Sequence, residues 1–297
     1  MSEGGAVAPV TVRDGGAVAP GAVRAVTVAG VTVRGAVLGG ARALADAGCD
    51  TPRLDAELLL ASVLRVDRSR LVVDGEVELD AASAARFSSL VARRAAREPV
   101  AYITGGKDFR RISLSVDSRV LIPRPETELL VDVGLSLTDG ARVVDVGTGS
   151  GAVALALKDE RPDLSVVGVD VSESAIAVAR ANAARLGLDV RFVVGDLLAG
   201  LSDGDAVLAN LPYIADGAVL PPEIARYEPA SALFAGPDGL DVIRRLVASV
   251  GSVPFLALEV GFDQADAVAE LLASAGFGSV ERVRDLAGHE RVALGRR

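Results

Sequence analysis

The amino-acid sequence predicts an α/β protein: a doubly wound, mostly parallel sheet with a C-terminal antiparallel hairpin, preceded by a small N-terminal helical bundle. Three observations carry that expectation. After Gly140, short Val-rich apolar runs alternate with helical stretches, as a parallel sheet covered on both faces requires. Between about Val37 and Glu98 the apolar residues recur instead at i, i+3 and i+4, the spacing of amphipathic helices. Finally, 50% of the 297 residues are hydrophobic, ample for one large domain or two ordinary ones, which excludes disorder as the main state.

Residues 1–34 repeat a Gly-Ala-Val theme (GGAVAPVTVRD, GGAVAPGAVRAV) too rich in glycine for a helix or strand, and a flexible extension is expected there. Alternating Val and Thr from Thr27 to Val33 leave a weak hairpin as the other reading. Residues 35–103 form the expected helical unit, with apolar stripes at Leu38, Ala41, Leu44 and Ala45, at Leu54, Leu58, Leu59 and Val63, and at Ala85, Phe87, Leu90 and Val91. Thr51-Pro52 reads as a helix start, and Asp67, Asp74 and Asp80 as starts of further helices. Nine Arg against ten acids over residues 37–98 suit contact with a protein better than a grip on phosphates.

Residues 104–125 read as a hairpin linker: Arg111 to Val116 alternate, and Pro123 and Pro125 end the pattern. A helix over 126–137 then opens the second domain, 126–297. In it RVVDVG, LSVVGVD, VRFVVGD and DAVLANLPY read as strands, and AVALALKDE and ESAIAVARANAARLG as the helices between them. A helix over 239–250, a strand PFLALEV, a helix over 264–275 and a closing hairpin (GSVERVRD, HERVALG) complete the chain.

Composition narrows the function. With 31 Lys and Arg against 40 Asp and Glu, the net charge of -9 leaves no general basic face, so direct nucleic-acid contact is not expected. One cysteine and one histidine exclude a disulfide framework and would leave a zinc site to carboxylates, so no metal is expected. Cys49 reads as a small, partly buried side chain, and His289 as a turn or surface residue. No run of eighteen apolar residues occurs and MSEGGAVAPVTV lacks the basic start of a secretory signal. A cytoplasmic monomer without membrane contact is the expectation.

The chemistry concentrates at strand ends. Asp145-Val146-Gly147-Thr148-Gly149-Ser150-Gly151 joins a strand to a helix, and its glycines let a ligand approach the backbone at the helix N-terminus. Asp170 ends the next strand, where a carboxylate can accept both hydroxyls of a ribose, with Val171 beside it. The spacing is G-x-G-x-G with a preceding acid, and Asp145 would repel a phosphate but suits the ammonium of a methionyl group. S-adenosylmethionine therefore fits better than a dinucleotide. The loop resembles the first motif of class I methyltransferases, a Rossmann-like fold, and that pattern implies that Asp196 and Leu197 lie near the adenine. The bland alternative is that Asp145, Asp170 and Asp196 only cap helices and turns.

Asn210-Leu211-Pro212-Tyr213 follows the fourth strand, at the carboxyl edge where open sheets bind ligands. A planar amide or amino nitrogen is a poor nucleophile because its lone pair is delocalised. Two acceptors, the Asn210 side-chain oxygen and the Leu211 carbonyl, can align it by taking both N–H hydrogens, while Pro212 stiffens the turn and Tyr213 packs on the flat group. No strong general base is needed, since the sulfonium is already an activated donor.

Beyond these motifs the chain resembles the release-factor glutamine methyltransferases, the HemK/PrmC family, over about residues 37–297. The resemblance rests on TPRLDAELLLASVL, REPVAYITGGKDF, VLIPRPETELLVD, DVGTGSGAVALAL and NLPYI, of which PRPETE is the most specific. It implies transfer of a methyl group from S-adenosylmethionine to the glutamine N5 of the Gly-Gly-Gln loop in class I peptide chain release factors, with the helical domain presenting that loop. It also implies that Asp145, Gly147, Thr148, Gly149, Gly151, Asp170 and Asn210 line the cofactor site, with Phe109 and Thr127 near it. Arg124 and Glu126 are either an exposed pair or part of the site. Two departures stand out: Leu211 replaces the first proline of Asn-Pro-Pro-Tyr, and Arg110-Arg111 replaces an aromatic-Gly pair. Because Asn-Leu-Pro-Tyr also occurs in adenine-N6 methyltransferases, RNA or DNA adenine is the first alternative, opposed by the charge and by only 3% aromatic residues. A glutamine in another protein and a non-enzymatic binding module are the others.

Overall fold

The first helices are set by short-range capping and by one buried face. In the computed structural model, which describes residues 30–199 and 204–297, Thr32 accepts from Gly35 N at the start of α1 (Val33–Asp46), and Pro52 opens α2 (Pro52–Leu64). The extension expected over residues 1–34 lies outside the described residues up to residue 29. After α3 (Arg68–Val73), Asp80 accepts from Ser83 N at the start of α4 (Ala81–Ala95), and a short α5 (Val100–Thr104) follows. One expected start differs: Asp74 ends α3 rather than opening a helix. Thr51 does stand at the start of α2, but its hydroxyl donates to the Asp55 carboxylate instead of capping the backbone.

The buried stripe is also rotated from the expected one. Leu38 is 59% exposed and Leu54 and Leu58 face outward, whereas Ala36, Gly40 and Leu44 of α1 meet Ala56, Leu59 and Leu60 of α2 and Phe87 of α4. Small residues decide it: a Cβ on Gly40 would sit 2.7 Å from the Phe87 ring, so close helix contact runs through the small side rather than the leucine side.

β1 (Gly106–Phe109) and β2 (Ile112–Ser115) form the expected hairpin, antiparallel around Arg110 at φ +50°. It is more than a linker, because Phe109, Ile112, Leu114, Val120 and Ile122 share one core with Leu130, Leu155 and Ile176 of the sheet unit. Arg110 locks this packing by reaching Glu160 at 2.5 Å and Asp132 at 2.6 Å.

A 3-10 turn at Pro125–Thr127 leads into α6 (Glu128–Leu135). The sheet unit then runs β3 (Arg142–Val146), α7 (Ala152–Glu160), β4 (Ser165–Asp170), α8 (Glu173–Leu186), β5 (Arg191–Val194), β6 (Ala206–Ala209) and α9 (Pro222–Tyr227). It continues with α10 (Asp241–Ser249), β7 (Phe255–Glu259), α11 (Ala265–Ser274), β8 (Ser279–Arg284) and β9 (Glu290–Arg296). The strand order is β5-β4-β3-β6-β7-β9-β8, with β3 to β7 parallel and β9 antiparallel to both neighbours. Alternate residues supply two cores: Val143 and Leu208 face the side of α6 to α8, Val144 and Val207 the side of α10 and α11.

From β3 the chain builds outward to β4 and β5, then returns to the other side of β3 with β6. That reversal opens a crevice at the carboxyl ends of β3, β4 and β6. α9, which the sequence pattern does not announce, ties the helical unit to this edge: Glu223 pairs with Arg94 at 2.9 Å and Arg97 at 2.7 Å, and Tyr227 donates to the Ala96 carbonyl. One residue past α9, Glu228 holds Arg124 at 2.5 Å and accepts from Ile122 N.

Candidate active site

A cavity of about 610 Å³ occupies the crevice. One wall is the glycine loop. Gly147 N and Thr148 N both donate to the Val169 carbonyl, which ties the loop to the end of β4. Beneath it Asp145 is 2% exposed and its Oδ2 accepts from the Thr148 hydroxyl at 2.6 Å and Ala154 N at 3.1 Å. Burial, and then the nearby Asp170 charge, push its carboxyl up to about 6 despite those bonds. Asp170 accepts from Gly149 N and Ser172 N, each at 2.9 Å, and burial raises its carboxyl as well. Both acids therefore brace the loop, and both also line the cavity.

Farther along, Val171 is exposed on the cavity lip, Leu197 lines it at φ +55°, and Asp196 pairs with Arg245 at 2.6 Å where both side chains are half exposed. Phe109 is a correction. At 1% exposure it is packed into the core under the hairpin and does not line the cavity, because the strand pleat that buries Ile112 and Leu114 buries it too.

The opposite wall is the turn after β6. Asn210 Nδ2 donates to the Thr127 hydroxyl at 2.9 Å, and that hydroxyl neighbours the Glu259 carboxyl at the end of β7, whose charged form it favours. The bond to Thr127 ties the amide nitrogen back and leaves its oxygen over. Among the described residues no hydrogen bond uses the Asn210 side-chain oxygen or the Leu211 carbonyl. Leu211 itself is buried against Gly147: that glycine sits at φ +74°, and a Cβ on it would lie 3.0 Å from the Asn210 carbonyl oxygen. Tyr213 is half-buried, with its hydroxyl 3.4 Å from Glu259 Oε1 and its carbonyl accepting from Gln264 Nε2 at 2.9 Å. Gly239, at φ +75°, makes room for that carbonyl, since a Cβ there would collide with it.

The loop and the turn thus meet, with Asp145, Gly147, Thr148, Gly149, Asp170, Val171, Asp196, Leu197, Thr127, Asn210, Leu211 and Pro212 around one cavity. Gly151 lies just behind, at the N-terminus of α7. Arg124 does not line the cavity; it is drawn to the buried Glu228, so it is not an exposed pair with Glu126. His289 is exposed in the turn between β8 and β9, 6.1 Å from the Phe262 ring, and Cys49 is buried beside the Arg94 carbonyl. The pattern of motifs passes over Glu259 and Gln264. The signal was present in PFLALEV, where a carboxylate ends an otherwise apolar strand, as Asp170 does in LSVVGVD.

Comparison with known proteins agrees with this geometry. Residues 36–105 match the PrmC N-terminal domain and residues 125–226 the methyltransferase small domain. A release factor glutamine methyltransferase of Caulobacter vibrioides is 43% identical over 265 residues, covering 85% of this chain and 92% of the relative. The chain belongs to the release factor glutamine methyltransferase family. A second member, from Burkholderia pseudomallei, is 44% identical and covers 82% of this chain and 91% of its own. Among solved structures, the hMettl16 catalytic domain, in complex with a MAT2A 3'UTR hairpin, is 17% identical with a TM-score of 0.52. It covers 70% of this chain and 81% of that one, a likeness of fold alone.

The two departures of this methyltransferase from its family now have places. Leu211 contributes a backbone carbonyl to the turn and an apolar side chain to the core, and Gln264 and Thr127 brace the turn that lacks the first proline. Arg110 is tied to Glu160 and Asp132 in the hairpin packing, away from the cavity.

Proposed function

We propose that the chain transfers a methyl group to the N5 nitrogen of the glutamine in the Gly-Gly-Gln loop of class I peptide chain release factors. The observation that carries this reading is the oriented pair of open acceptors, Asn210 Oδ1 and the Leu211 carbonyl, facing a cavity beside the glycine loop. A primary amide has two N–H donors on one planar nitrogen, and two acceptors in one turn match it.

The cavity suits S-adenosylmethionine. Asp170 offers lone pairs to ribose hydroxyls, the buried Asp145 disfavours a phosphate at the loop, and Val171 and Leu197 offer apolar walls to a base beside Asp196. When bound, that group supplies an activated methyl on a sulfonium. The chain's own part is positioning. Asn210 and Leu211 hold the amide hydrogens so that the nitrogen faces the loop side, Tyr213 confines the plane of the amide, and the buried Leu211 side chain keeps the turn against Gly147.

In this reading residues 35–103 form the domain that receives the release factor, residues 104–125 connect it, and residues 126–297 perform the transfer in a cytoplasmic monomer. Among the described residues no helix is long and apolar enough to cross a membrane. Adenine is the poorer substrate, because 43% identity to a glutamine methyltransferase runs over 85% of the chain, well beyond the shared turn. The test is mass spectrometry of the Gly-Gly-Gln peptide after an unmethylated release factor is incubated with the protein and S-adenosylmethionine. One added methyl on the glutamine is expected; none, with cofactor binding confirmed, refutes the reading.

A further inference from the structure

Glu259 is the most costly side chain beside the transfer turn. It is 1% exposed at the end of an otherwise apolar strand, and its Oε2 has no hydrogen-bond partner among the described residues. A buried carboxylate with a vacant oxygen weakens a fold, so its presence calls for another role. Its remaining contacts are the Thr127 hydroxyl, which carries Asn210, and the Tyr213 hydroxyl.

We infer that Glu259 is a positioning residue that sets the polarity of the transfer turn, taking the hydrogen of the Thr127 hydroxyl and so fixing which end of the Asn210 amide faces the substrate, while holding the far end of the same turn through Tyr213. The inference rests on the glutamine reading above.

A carboxylate can only accept. It therefore claims the single hydrogen of the Thr127 hydroxyl and leaves that oxygen to accept from Asn210 Nδ2, so Oδ1 points to the cavity. Were the Thr127 hydrogen free, the flipped amide would be bonded equally well and would present N–H donors to the N–H donors of glutamine. Protonation of Glu259 releases the same constraint. Its charged surroundings are Glu126 on the turn before α6, which opposes the carboxylate, and Arg291 on β9, which favours it; Arg124 acts on the Tyr213 side. Burial dominates and, although the Thr127 hydroxyl opposes it, the Glu126 charge adds to it, so the carboxyl is pushed up to about 7, within the working range of pH.

The test compares wild type, Glu259→Gln, Thr127→Val, Thr127→Ser and the double variant Glu259→Gln/Thr127→Val on unmethylated release factor between pH 6 and 9, with S-adenosylmethionine affinity from calorimetry. Wild-type kcat should rise with pH as one group ionises near 7. Glu259→Gln should lower kcat about tenfold at pH 8 and flatten that profile, with cofactor affinity and KM for the release factor within about twofold. Thr127→Ser should keep most of the activity, and the double variant should be little worse than Thr127→Val alone, as for two links of one chain. Wild-type kcat in Glu259→Gln, a persistent inflection near pH 7, or losses that multiply in the double variant would each overturn the inference while leaving the glutamine reading intact. A wild type that methylates no glutamine overturns both.

Discussion

On the loop side of the cavity Asp145 and Asp170 each accept two hydrogen bonds from the chain itself, whereas on the turn side the Asn210 side-chain oxygen, the Leu211 carbonyl and Glu259 Oε2 accept none among the described residues. The contrast separates two tasks. The loop must exist as a shaped surface before anything binds, so its acids are engaged in holding glycines in place. The turn must greet a donor-rich amide, so its acceptors are oriented but left open, at some expense of stability.

Removing an open acceptor should have the largest effect. Asn210→Ala should lower kcat by about 10²–10³-fold, the usual loss when a group that aligns the reacting atoms is deleted, with cofactor affinity changed less than about tenfold. Initial rates and calorimetry check it, and unchanged turnover would erase the distinction between the walls.

Stability against pH should sharpen it next. Glu259 and Asp145 both have folded values above their ordinary ones, so the penalty of charging them is absent below about pH 4. It grows as pH rises through about 6 for Asp145 and about 7 for Glu259, and is complete above. Glu259→Gln should therefore stabilise the protein by up to about 3 kcal/mol at pH 8 and by almost nothing at pH 4. Asp145→Asn should gain less than half as much, because Thr148 and Ala154 lose a charged acceptor. Denaturant midpoints at both pH values measure this; an equal gain at the two sites would show the walls to be equally strained.

The smallest effect belongs to the cofactor wall. Asp170→Ala should weaken S-adenosylmethionine binding by about 1–3 kcal/mol, since it removes an acceptor and loosens Gly149 together. Wild-type affinity in calorimetry would refute a ribose role.

Much of this architecture was legible in the sequence because its signals are local. The glycine loop, the acids at the ends of β3 and β4 and the Asn-Leu-Pro-Tyr turn each lie within a few residues of the strand that places them. What escaped notice depends on partners far away in the chain. Thr127 meets Asn210 across 83 residues, and Glu259 reaches Tyr213 only because β6 and β7 pair in parallel register. α9 is a six-residue helix begun by proline, with no buried residue of its own, so no periodicity could reveal it; its Glu223 is held by arginines more than 120 residues earlier. The outward leucines of α1 and α2 misled for a related reason, since helical spacing marks a face but the small residues choose which face is covered.

That same α9 joins two bodies at two points. Its Glu223 holds Arg94, itself buried against Asp55, and its Tyr227 hydroxyl donates to the Ala96 carbonyl. Swinging the helical unit away would part both Arg94 and Arg97 from Glu223, so these ion pairs oppose a change in the spacing of the bundle and the sheet. A segment entering the cavity would then meet a spacing already set by α9, and substrates would be told apart by gauge, by whether they reach the floor between β3 and β6.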